Sequence, residues 1–334
     1  MTKLMKAVVY HEYGSPDVLK LEDVEVPTPK DDEILVKVQA VSVNRSDWEG
    51  LTGKPLYARV GGFRKPSNKI LGSDVAGIVE LVGKDNKEFT TGDAVFGEME
   101  GYHGGFAEYV CTRGKIWALK PPRMPFDTAA AIPQAGVIAL QGIRDKGQLQ
   151  AGQKVLINGG GGGAGSLAVQ LAKNAGAEVT GVDNTGKLEF MRSLGADHVI
   201  DYTRENFTKK RKEYDFILDL IAYRSALAYA RALKPNGSYY AVGGSVATFL
   251  QFFLFGPWIR RSSGKKVRLL AVQRNRKDLE TITELCESGK VRLNIDKQYP
   301  LIEVPEALRY FGEERTKGKV VITVASDKKP YRDK

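Results

Sequence analysis

Short runs of alternating apolar and polar residues dominate the chain up to residue 125. Runs at 5–10, 34–43 and 75–82 have the length and the β-branched content of strands. Segments rich in Pro, Gly and Asp, such as PTPKDDE and VGKDNKEFTTGD, separate these runs. Because sustained helical periodicity is missing here, we predict a β-rich unit that closes into a barrel.

The pattern changes after residue 126, where predicted strands and helices alternate. The Ala-rich stretch 127–147 predicts a pair of helices, with Asp127 as a candidate N-cap. Leu167, Leu171 and Ala175 recur every four residues, which is typical of a helix face. Further strands are predicted at 155–157, 177–182, 199–200, 216–220, 238–242 and 267–272. This alternation predicts an α/β fold with a doubly wound parallel sheet.

These changes of pattern divide the 334 residues into two domains. Residues 1–126 form the first part of a β domain, and 127–275 form the domain with the parallel sheet. Residues 276–326 return to β texture around one helix and are expected to rejoin the first domain. Residues 327–334 are expected to be a solvated tail.

Composition excludes some classes of protein and leaves the partner open. The 42% hydrophobic and 27% charged residues are typical of a globular protein with a core. The two cysteines, Cys111 and Cys286, exclude a disulfide framework and a four-cysteine zinc site, so we expect a cytoplasmic location. The net charge of +10 is compatible with an anionic ligand, a nucleic acid or a membrane surface.

The most apolar stretch is VATFLQFFLFGPW at 246–258. It is interrupted by Gln251 and is shorter than the roughly 20 apolar residues that a spanning helix needs. We therefore expect no membrane span here, and a buried helix or an interface rather than membrane contact. The beginning of the chain, MTKLMKAVVY, lacks the long apolar stretch of a secretory signal.

A run of five glycines, 159–163, follows the predicted strand at 155–157. Gly160, Gly162 and Gly165 fit the G-x-G-x-x-G pattern, and an amphipathic helix follows them. The first glycine allows a tight turn, the second lets the backbone approach a pyrophosphate, and the third permits close helix–strand packing. Since a linker would not separate a strand from its own crossover helix, we predict a dinucleotide site at the helix N-terminus.

Two charged residues bear on which dinucleotide binds. Asp183 ends the second predicted strand, where a carboxylate accepts bonds from the adenosine ribose and repels a 2′-phosphate. Lys187 follows four residues later and either pairs with a 2′-phosphate or is a solvated lysine of the first helical turn. The choice between NADH and NADPH stays open, and the aspartate favours NADH.

Motifs along nearly the whole chain resemble those of the medium-chain dehydrogenase/reductase superfamily, in its zinc-free quinone oxidoreductase (zeta-crystallin-like) branch. They are MKAVVYHEYGSPDVLKLEDVEVPTP, VSVNRSDW, ILGSDVAGIVELVG, GGFAEYV, AAIPQAGVIALQGI, VLINGGGGGAG, SLGADHVIDY and GKVVITV. The resemblance implies a GroES-like β-barrel catalytic domain built from both chain ends and a Rossmann domain between them. It also implies hydride transfer between NAD(P)H and a small molecule, and a homodimer.

The same resemblance implies a site without metal. Zinc-type alcohol dehydrogenases of this superfamily have a cysteine where this chain has Asn44, and Gly-His-Glu where it has Gly-Ser-Asp at 72–74. A catalytic zinc needs three strong protein ligands, and the three histidines lie in other segments. Without a Lewis acid, the oxidation of a simple alcohol is not expected. The reduction of a quinone or an α,β-unsaturated carbonyl is expected instead, because these compounds accept hydride directly.

By resemblance, the segment VNRSDW and its surroundings form the substrate and nicotinamide pocket. Asn44 is a candidate donor to the substrate carbonyl, and Asp47 is expected to fix the loop. Trp48 and Tyr57 either offer aromatic faces to a planar substrate or serve as packing residues, and Tyr57 is also a candidate proton donor. Ile138 stands where related quinone reductases have a threonine that supports the nicotinamide.

Phe249, Phe252 and Phe253 of the apolar stretch are candidates for a roof over the substrate.

The resemblance implies cofactor contacts from four parts of the chain. The expected cofactor residues are Gly160, Gly161, Gly162, Gly163, Ala164 and Gly165 at the pyrophosphate, Asp183, Lys187 and Tyr202 at the adenosine, Val242 and Gly243 at the nicotinamide, and Lys319 from the C-terminal element.

Two other functions remain compatible with the sequence. One is a zinc-type alcohol dehydrogenase with unusual ligands. The other is a weakly catalytic relative that binds nucleic acid through the basic runs 209–212 and 260–266. No aromatic residues stand between the basic ones, so solvated loops explain these runs better and nucleic acid is not the expected partner.

Overall fold

The structure, a computed structural model, describes residues 3–60 and 62–324. Its N-terminal part contains β1 (Leu4–Val9), β2 (Lys20–Glu25), β3 (Ile34–Val43), α1 (Arg45–Thr52), β4 (Asp74–Val82), β5 (Ala94–Glu98), β6 (Tyr109–Thr112) and β7 (Ala118–Leu119). The middle part contains α2 (Phe126–Ala130), α3 (Pro133–Leu140), β8 (Lys154–Asn158), α4 (Gly163–Asn174), β9 (Glu178–Asp183), α5 (Leu188–Ser193), β10 (His198–Asp201), β11 (Tyr214–Asp219), α6 (Ala226–Ala232), β12 (Leu233–Ala241), α7 (Val246–Ser263) and β13 (Lys266–Leu269). The last part contains α8 (Arg276–Glu287), β14 (Ile295–Pro300), α9 (Val304–Gly312) and β15 (Lys319–Thr323).

The β domain joins the two ends of the chain in one sheet. Its strand order is β14-β15-β3-β4-β5-β7, and β6 also pairs with β3. β15 runs antiparallel to β3, so that Val320 lies opposite Val43. Most residues of β3 are buried because helix α2 and the strands around it cover both of its faces. Strands β14 and β15 near the C-terminal end of the described residues thus lie in the same sheet as β3 and β4.

The second sheet is parallel and lies between helices, as the alternating pattern predicts. Its order is β10-β9-β8-β11-β12-β13, and Val155, Leu156 and Ile157 in its centre are fully buried. The chain moves outward in one direction from β8 to β9 and β10, and in the other direction from β11 to β13. Such a reversal leaves a crevice at the carboxyl ends of the two central strands, where ligands bind in open α/β sheets.

The predicted start of the first helix is wrong by two residues. α2 begins at Phe126, and the extended residue before it is Pro125. Proline has no backbone N–H to donate, and the residue before a helix donates no intrahelical hydrogen bond. Proline is therefore well suited to this position. Asp127 therefore lies in the first turn, where its Oδ1 accepts from the Thr128 backbone N–H at 2.6 Å.

The apolar stretch at 246–258 forms most of α7, and the helix is only partly buried. Phe252 and Ile259 lie in the core under the parallel sheet. Phe253 is 80% exposed and Trp258 is 61% exposed. A helix that rests on a sheet edge buries one stripe of side chains, and this one is apolar all round. The expectation of a fully buried helix is wrong, and that of an interface stays a prediction.

The seven-stranded sheet and the six-stranded parallel sheet agree with the predicted fold class, and the two-stranded sheet β1-β2 lies apart from both. Helix α8 contacts both α3 of the α/β domain and β7 of the β domain. The boundaries at 126 and 275 therefore remain predictions. The predicted tail at 327–334 lies outside the described residues. Within residues 3–60 and 62–324, no helix combines the length and the apolar composition that crossing a bilayer requires.

Candidate active site

The two domains meet where the glycine run begins α4. The Gly318 N–H donates to the Gly161 carbonyl at 3.0 Å, and Gly318 forms a bridge with Gly162. A Cβ atom on Gly163 would lie 2.8 Å from Cδ of Lys319. The start of β15 therefore lies directly against the predicted phosphate-binding loop. Lys319, the first residue of this strand, was expected at this place.

The glycines of the loop have the roles that the G-x-G-x-x-G pattern predicts. A Cβ atom on Gly165 would lie 2.0 Å from the Gly159 carbonyl oxygen, so only glycine allows this helix–strand approach. Gly162 is the residue before α4, and the N–H groups of Gly163, Ala164 and Gly165 belong to the first turn, which no helical carbonyl can reach. These donors and the positive end of the helix fit a pyrophosphate.

The adenosine end contains a buried ion pair. Asp183 Oδ2 accepts from the Gly161 N–H at 3.0 Å, and Asp183 Oδ1 lies 3.3 Å from Nζ of Lys187. Both side chains are 8% exposed, so the alternative of a solvated Lys187 is wrong. The lysine is buried because it lies one helical turn beyond the aspartate and packs against Gly161.

A residue that the sequence did not point to joins the same end of the site. Glu314, from the segment after α9, accepts from the Tyr202 hydroxyl at 3.1 Å through Oε2. Its backbone carbonyl accepts from Nδ2 of Asn184 at 3.0 Å. Partial burial and the Glu314 carboxylate raise the pKa of Tyr202 to about 12. The C-terminal segment lies more than a hundred positions away along the chain, so only the fold brings it here.

The nicotinamide side of the predicted site lies at the end of β12. The Val242 N–H donates to the Asp219 carbonyl at 2.8 Å, which continues the parallel pairing beyond the strand. Gly243 has φ +76°, and a Cβ atom there would find no atom within 4 Å. Both residues border open space at the carboxyl edge of the sheet, where the resemblance places them.

A buried polar cluster lies beneath the junction of the domains. Nδ2 of Asn44 donates to Ser73 Oγ at 2.9 Å and to Asp74 Oδ2 at 2.8 Å. Its Oδ1 accepts from Nζ of Lys319 at 2.5 Å, and this ammonium lies 3.9 Å from Asp74 Oδ2. Both amide hydrogens of Asn44 are thus engaged inside the protein. The prediction that Asn44 donates to the substrate is wrong for this arrangement, in which it connects Lys319 with Asp74.

Asp47 fixes the loop before α1, as expected. Its carboxylate accepts from the backbone N–H groups of Asn44 at 2.7 Å and Gly72 at 3.0 Å. It also accepts from the Ser73 hydroxyl at 3.2 Å. Burial raises the pKa of Asp47 to about 7, although the two backbone bonds oppose the rise.

The cluster contains more carboxylates than cations. Burial raises the pKa of Glu98 to about 7, and the nearby Asp74 charge adds to this rise. Burial also raises the pKa of Asp74, against the opposing effects of Lys319 and Asn44. The pKa of Lys319 is lowered by burial, while the three carboxylates oppose that change. Burial thus raises the pKa of all three carboxyl groups above their ordinary values.

Two residues that the sequence analysis missed, Gln134 and Ser46, connect this cluster with the partly exposed side of the junction, where the substrate cleft is predicted. Gln134, the second residue of α3, donates through Nε2 to Ser46 Oγ at 3.2 Å and to Glu98 Oε1 at 2.8 Å. Gln134, Ser46 and Ile138 are partly exposed, and Ile138 lies one turn after Gln134 on the same face of α3. The sequence contained one signal for Gln134, because a polar glutamine stands in an otherwise apolar helix.

Tyr57 and Phe249 face each other across the two domains. Their rings stack with centroids 5.7 Å apart, and the Tyr57 hydroxyl donates to Glu49 Oε2 at 3.4 Å. Burial and the Glu49 charge raise the pKa of Tyr57 to about 12, which makes it a weak proton donor. The predicted roof is limited to the first turn of α7, because Phe252 packs in the core and Phe253 lies on the surface.

Trp48 packs against the C-terminal helix. A Cβ atom on Gly312 would lie 2.1 Å from Cη2 of Trp48, so the indole packs directly against the end of α9. It belongs to the edge of the β-domain core. Helix α9 thus occupies one side of the partly buried ring, and an aromatic contact with a substrate at this position stays a prediction.

Comparisons with known proteins agree with the two-domain architecture. The model of the alcohol dehydrogenase GroES-like domain matches residues 30–123, and that of the zinc-binding dehydrogenase domain matches residues 194–322. The chain is 36% identical to a 2-methylene-furan-3-one reductase of Solanum lycopersicum, over 95% of this chain and 79% of that protein. It is 35% identical to an NADPH-dependent alkenal/one oxidoreductase of Arabidopsis thaliana, over 96% and 80%. The quinone oxidoreductase from Coxiella burnetii has the same fold, with a TM-score of 0.84, 28% identity, and coverage of 97% of this chain and 100% of that one.

The raised pKa of Glu98 predicts how stability changes with pH. Its pKa in the folded protein, about 7, exceeds the ordinary value of 4.5, so its contribution is full below pH 4.5 and is lost as pH rises through 7. Glu98→Gln should leave the free energy of unfolding unchanged at pH 4 and raise it by about 1–3 kcal/mol at pH 8. Urea unfolding across this range measures the difference. The exposed Glu100→Gln is the control, and parallel curves for Glu98→Gln and the native protein would contradict the expectation.

Proposed function

Because the chain belongs to the medium-chain dehydrogenase/reductase superfamily, we propose that it is an NAD(P)H-dependent oxidoreductase that reduces a quinone or an α,β-unsaturated carbonyl. The main support is the junction at which the glycine loop, Lys319 and the Asn44 cluster meet. The names of the tomato and Arabidopsis relatives specify conjugated carbonyl compounds, and the Coxiella protein is a quinone oxidoreductase.

The cofactor supplies the hydride, and the residues of this chain orient it. We propose that the N–H groups of the first turn of α4 hold the pyrophosphate. Asp183, Lys187 and Tyr202 border the adenosine, and Val242 and Gly243 border the nicotinamide. Lys319 lies along the loop with its ammonium turned to Asn44, so it closes the site from the β domain without reaching outward.

We propose that the reaction proceeds without a metal ion. The support is the chemistry of the groups present, since an amide and a hydroxyl at Asn44 and Ser73 are poor zinc ligands. The Asn44 Oδ1 atom already accepts from the Lys319 ammonium, and this positive charge opposes a metal cation at the same place. Among the described residues, no group of three or more His, Cys, Asp and Glu side chains is arranged to hold a metal.

The substrate is held on its polar side by Ser46 and Gln134, and on its apolar side by Tyr57, Phe249 and Ile138. A hydroxyl and an amide can stabilise the negative oxygen that develops when an enone or a quinone accepts hydride. Aromatic rings on the other side restrict a planar acceptor to an orientation that faces the nicotinamide. Orientation and hydrogen bonding are thus the main contributions that the protein makes.

We expect the purified protein to oxidise NADH or NADPH with quinones and enones as acceptors. Simple alcohols, which need a Lewis acid for activation, should react at least about 100-fold more slowly in kcat/KM. Steady-state kinetics with a panel of quinones, enones, aldehydes and alcohols tests this, together with elemental analysis for zinc. Stoichiometric zinc with alcohol oxidation would instead support the zinc-type alternative, and inactivity with every acceptor would exclude the reductase.

We also propose that NADH is preferred over NADPH, which would distinguish this chain from the Arabidopsis relative. Asp183 acts in two ways, because its carboxylate repels a 2′-phosphate and its ion pair occupies Lys187. The Glu314 carboxylate, which accepts from the Tyr202 hydroxyl, adds a second negative charge at the same end. A 2′-phosphate would therefore meet two carboxylates and a lysine whose charge is already paired.

Asp183→Ser should raise kcat/KM for NADPH relative to NADH by at least about tenfold, since it removes one repulsive charge and frees Lys187. The double variant Asp183→Ser, Lys187→Met should lose most of this gain. Steady-state kinetics with both cofactors and one quinone measures the ratio. Glu189→Gln on α5 makes the same change of charge at an exposed position and should leave the ratio unaltered. A native protein that prefers NADPH would contradict the proposal.

We propose that the protein is a homodimer that forms through α7 and β13, and that it works in a reducing compartment such as the cytoplasm. β13 is the last strand in the described order of the parallel sheet, and an edge strand is a ready site for pairing with another chain. Beside it, α7 exposes Phe253, Leu254 and Trp258. A second copy related by a two-fold axis would cover these side chains and extend the sheet.

Phe253→Asp should convert the dimer into a monomer without loss of the fold, because this side chain is already 80% exposed. Light scattering after size-exclusion chromatography measures the mass, and circular dichroism checks the fold. Phe63→Asp changes a side chain that is 70% exposed in another segment and should remain dimeric. A native protein that is monomeric at micromolar concentration would exclude the interface.

A further inference from the structure

Two serine hydroxyls connect the cleft with a buried carboxylate. Oγ of Ser46 lies 3.2 Å from Oγ of Ser73, and Oγ of Ser73 lies 3.2 Å from Oδ2 of Asp47. Ser46 is partly exposed at the cleft, whereas Ser73 and Asp47 have no exposed surface. The three groups form a continuous hydrogen-bonded path from the substrate side to the interior.

Amide groups donate to both serine oxygens and leave the two hydroxyl hydrogens free to serve the path in either direction. Nδ2 of Asn44 donates to Ser73 Oγ at 2.9 Å, and Nε2 of Gln134 donates to Ser46 Oγ at 3.2 Å. Each serine oxygen is thus already an acceptor, and its own hydrogen is available for the next member of the path. The Ser46 hydrogen has a second acceptor in Oε1 of Gln134 at 3.4 Å, slightly farther than Ser73 Oγ at 3.2 Å. With Asp47 ionised, both hydrogens point inward. With Asp47 protonated, the order reverses and the Ser46 hydrogen points to the cleft.

The surroundings of Asp47 keep both of its protonation states accessible. Burial and the Asp74 charge raise its pKa, the Asn44 and Gly72 N–H groups and Lys319 lower it, and the balance is about 7. The titratable or charged groups that face it are Tyr10 beyond β1, Asp74 in β4, Glu98 in β5 and Lys319 in β15. A neutral carboxyl group is therefore present in a substantial fraction of molecules at neutral pH.

We propose that Ser46 is a catalytic residue that protonates the substrate oxygen, and that Ser73 and Asp47 are positioning residues that return the proton to Ser46. This inference rests on the proposed reductase function. When hydride adds to the β-carbon of an enone, the π electrons move to the carbonyl oxygen and form an enolate. The Ser46 O–H bond breaks and the enolate oxygen takes this proton, which yields the enol.

The remaining steps restore the path. Ser46 takes the hydrogen of Ser73, Ser73 takes the carboxyl proton of Asp47, and Asp47 is left ionised. After the product leaves, a proton from water returns to Asp47 through the same two hydroxyls, and the released enol becomes the ketone in solution. One hydride and one proton are consumed for each molecule reduced. Because the protonated carboxyl is the active form, kcat should fall as pH rises through about 7.

Ser73→Ala tests the path at its middle. The variant should lose about 10- to 100-fold in kcat, keep its KM and its affinity for the cofactor, and lose the decline of kcat above pH 7. Its solvent deuterium isotope effect on kcat should increase, because proton delivery becomes limiting. Ser73→Thr restores the hydroxyl and should restore the native pH profile. Ser42→Ala, which removes a buried hydroxyl 3.4 Å from Asp74 and outside the path, is the matched control.

The results separate the path from the proposed function. If the native protein reduces enones and Ser73→Ala has the native kcat, pH profile and isotope effect, the path is excluded and the reductase stands. If Ser73→Ala does not fold, Ser46→Ala and Ser46→Thr at the exposed end decide, since only the threonine should retain activity. An alanine at position 46 with the native rate would likewise exclude the path. A native protein without reductase activity would exclude both proposals.

Discussion

The ammonium group of Lys319 is the interaction on which the site depends most. It lies buried between Asn44 and Asp74, and it comes from the strand that returns the end of the chain to the first domain. The residue before it, Gly318, bonds to the glycine loop of the other domain. A buried carboxylate that loses its only nearby cation costs about 3–5 kcal/mol. One lysine therefore links the two ends of the β domain, the phosphate-binding loop and the charge balance of the cluster.

The chemistry of the site follows from this balance of charge. Asp47, Asp74 and Glu98 share one buried cation, the Lys319 ammonium. Its charge does not fully offset the effect of burial on the three carboxylates, so their pKa values rise. An arrangement of this kind destabilises the folded protein at neutral pH and also keeps protons within reach of the cleft. Polar groups that do not bind a metal can still stabilise a developing oxyanion, provided that they are held in place. In this protein the cluster holds Ser46 and Gln134 at the edge of the cleft.

The sequence predicted those features that depend on neighbouring residues. The alternating pattern predicted the seven-stranded and the parallel sheet, and the glycines at 160, 162 and 165 predicted the tight turn before α4, because backbone sterics determine where only glycine fits. The roles of side chains were predicted less well. Asn44 was expected to face the substrate, but Lys319 engages it from a distance of 275 positions along the chain. Trp48 was a candidate for the pocket or for packing, and the fold places Gly312 of α9 against its ring. Glu314 was missed because its partner, Tyr202, also lies more than a hundred positions away along the chain.

By itself, the sequence determined the class of the fold, the dinucleotide loop and the lack of strong metal ligands at positions 44 and 73, since these are properties of local periodicity and of residue type. The tertiary structure alone decided which hydrogens remain free for a ligand. Whether Asn44 or Ser46 meets the substrate depends on what occupies the other hydrogen-bonding positions of each group, and those partners come from β4, α3 and β15. Hydrogen-bond capacity is limited, and packing over long sequence distances determines how it is used.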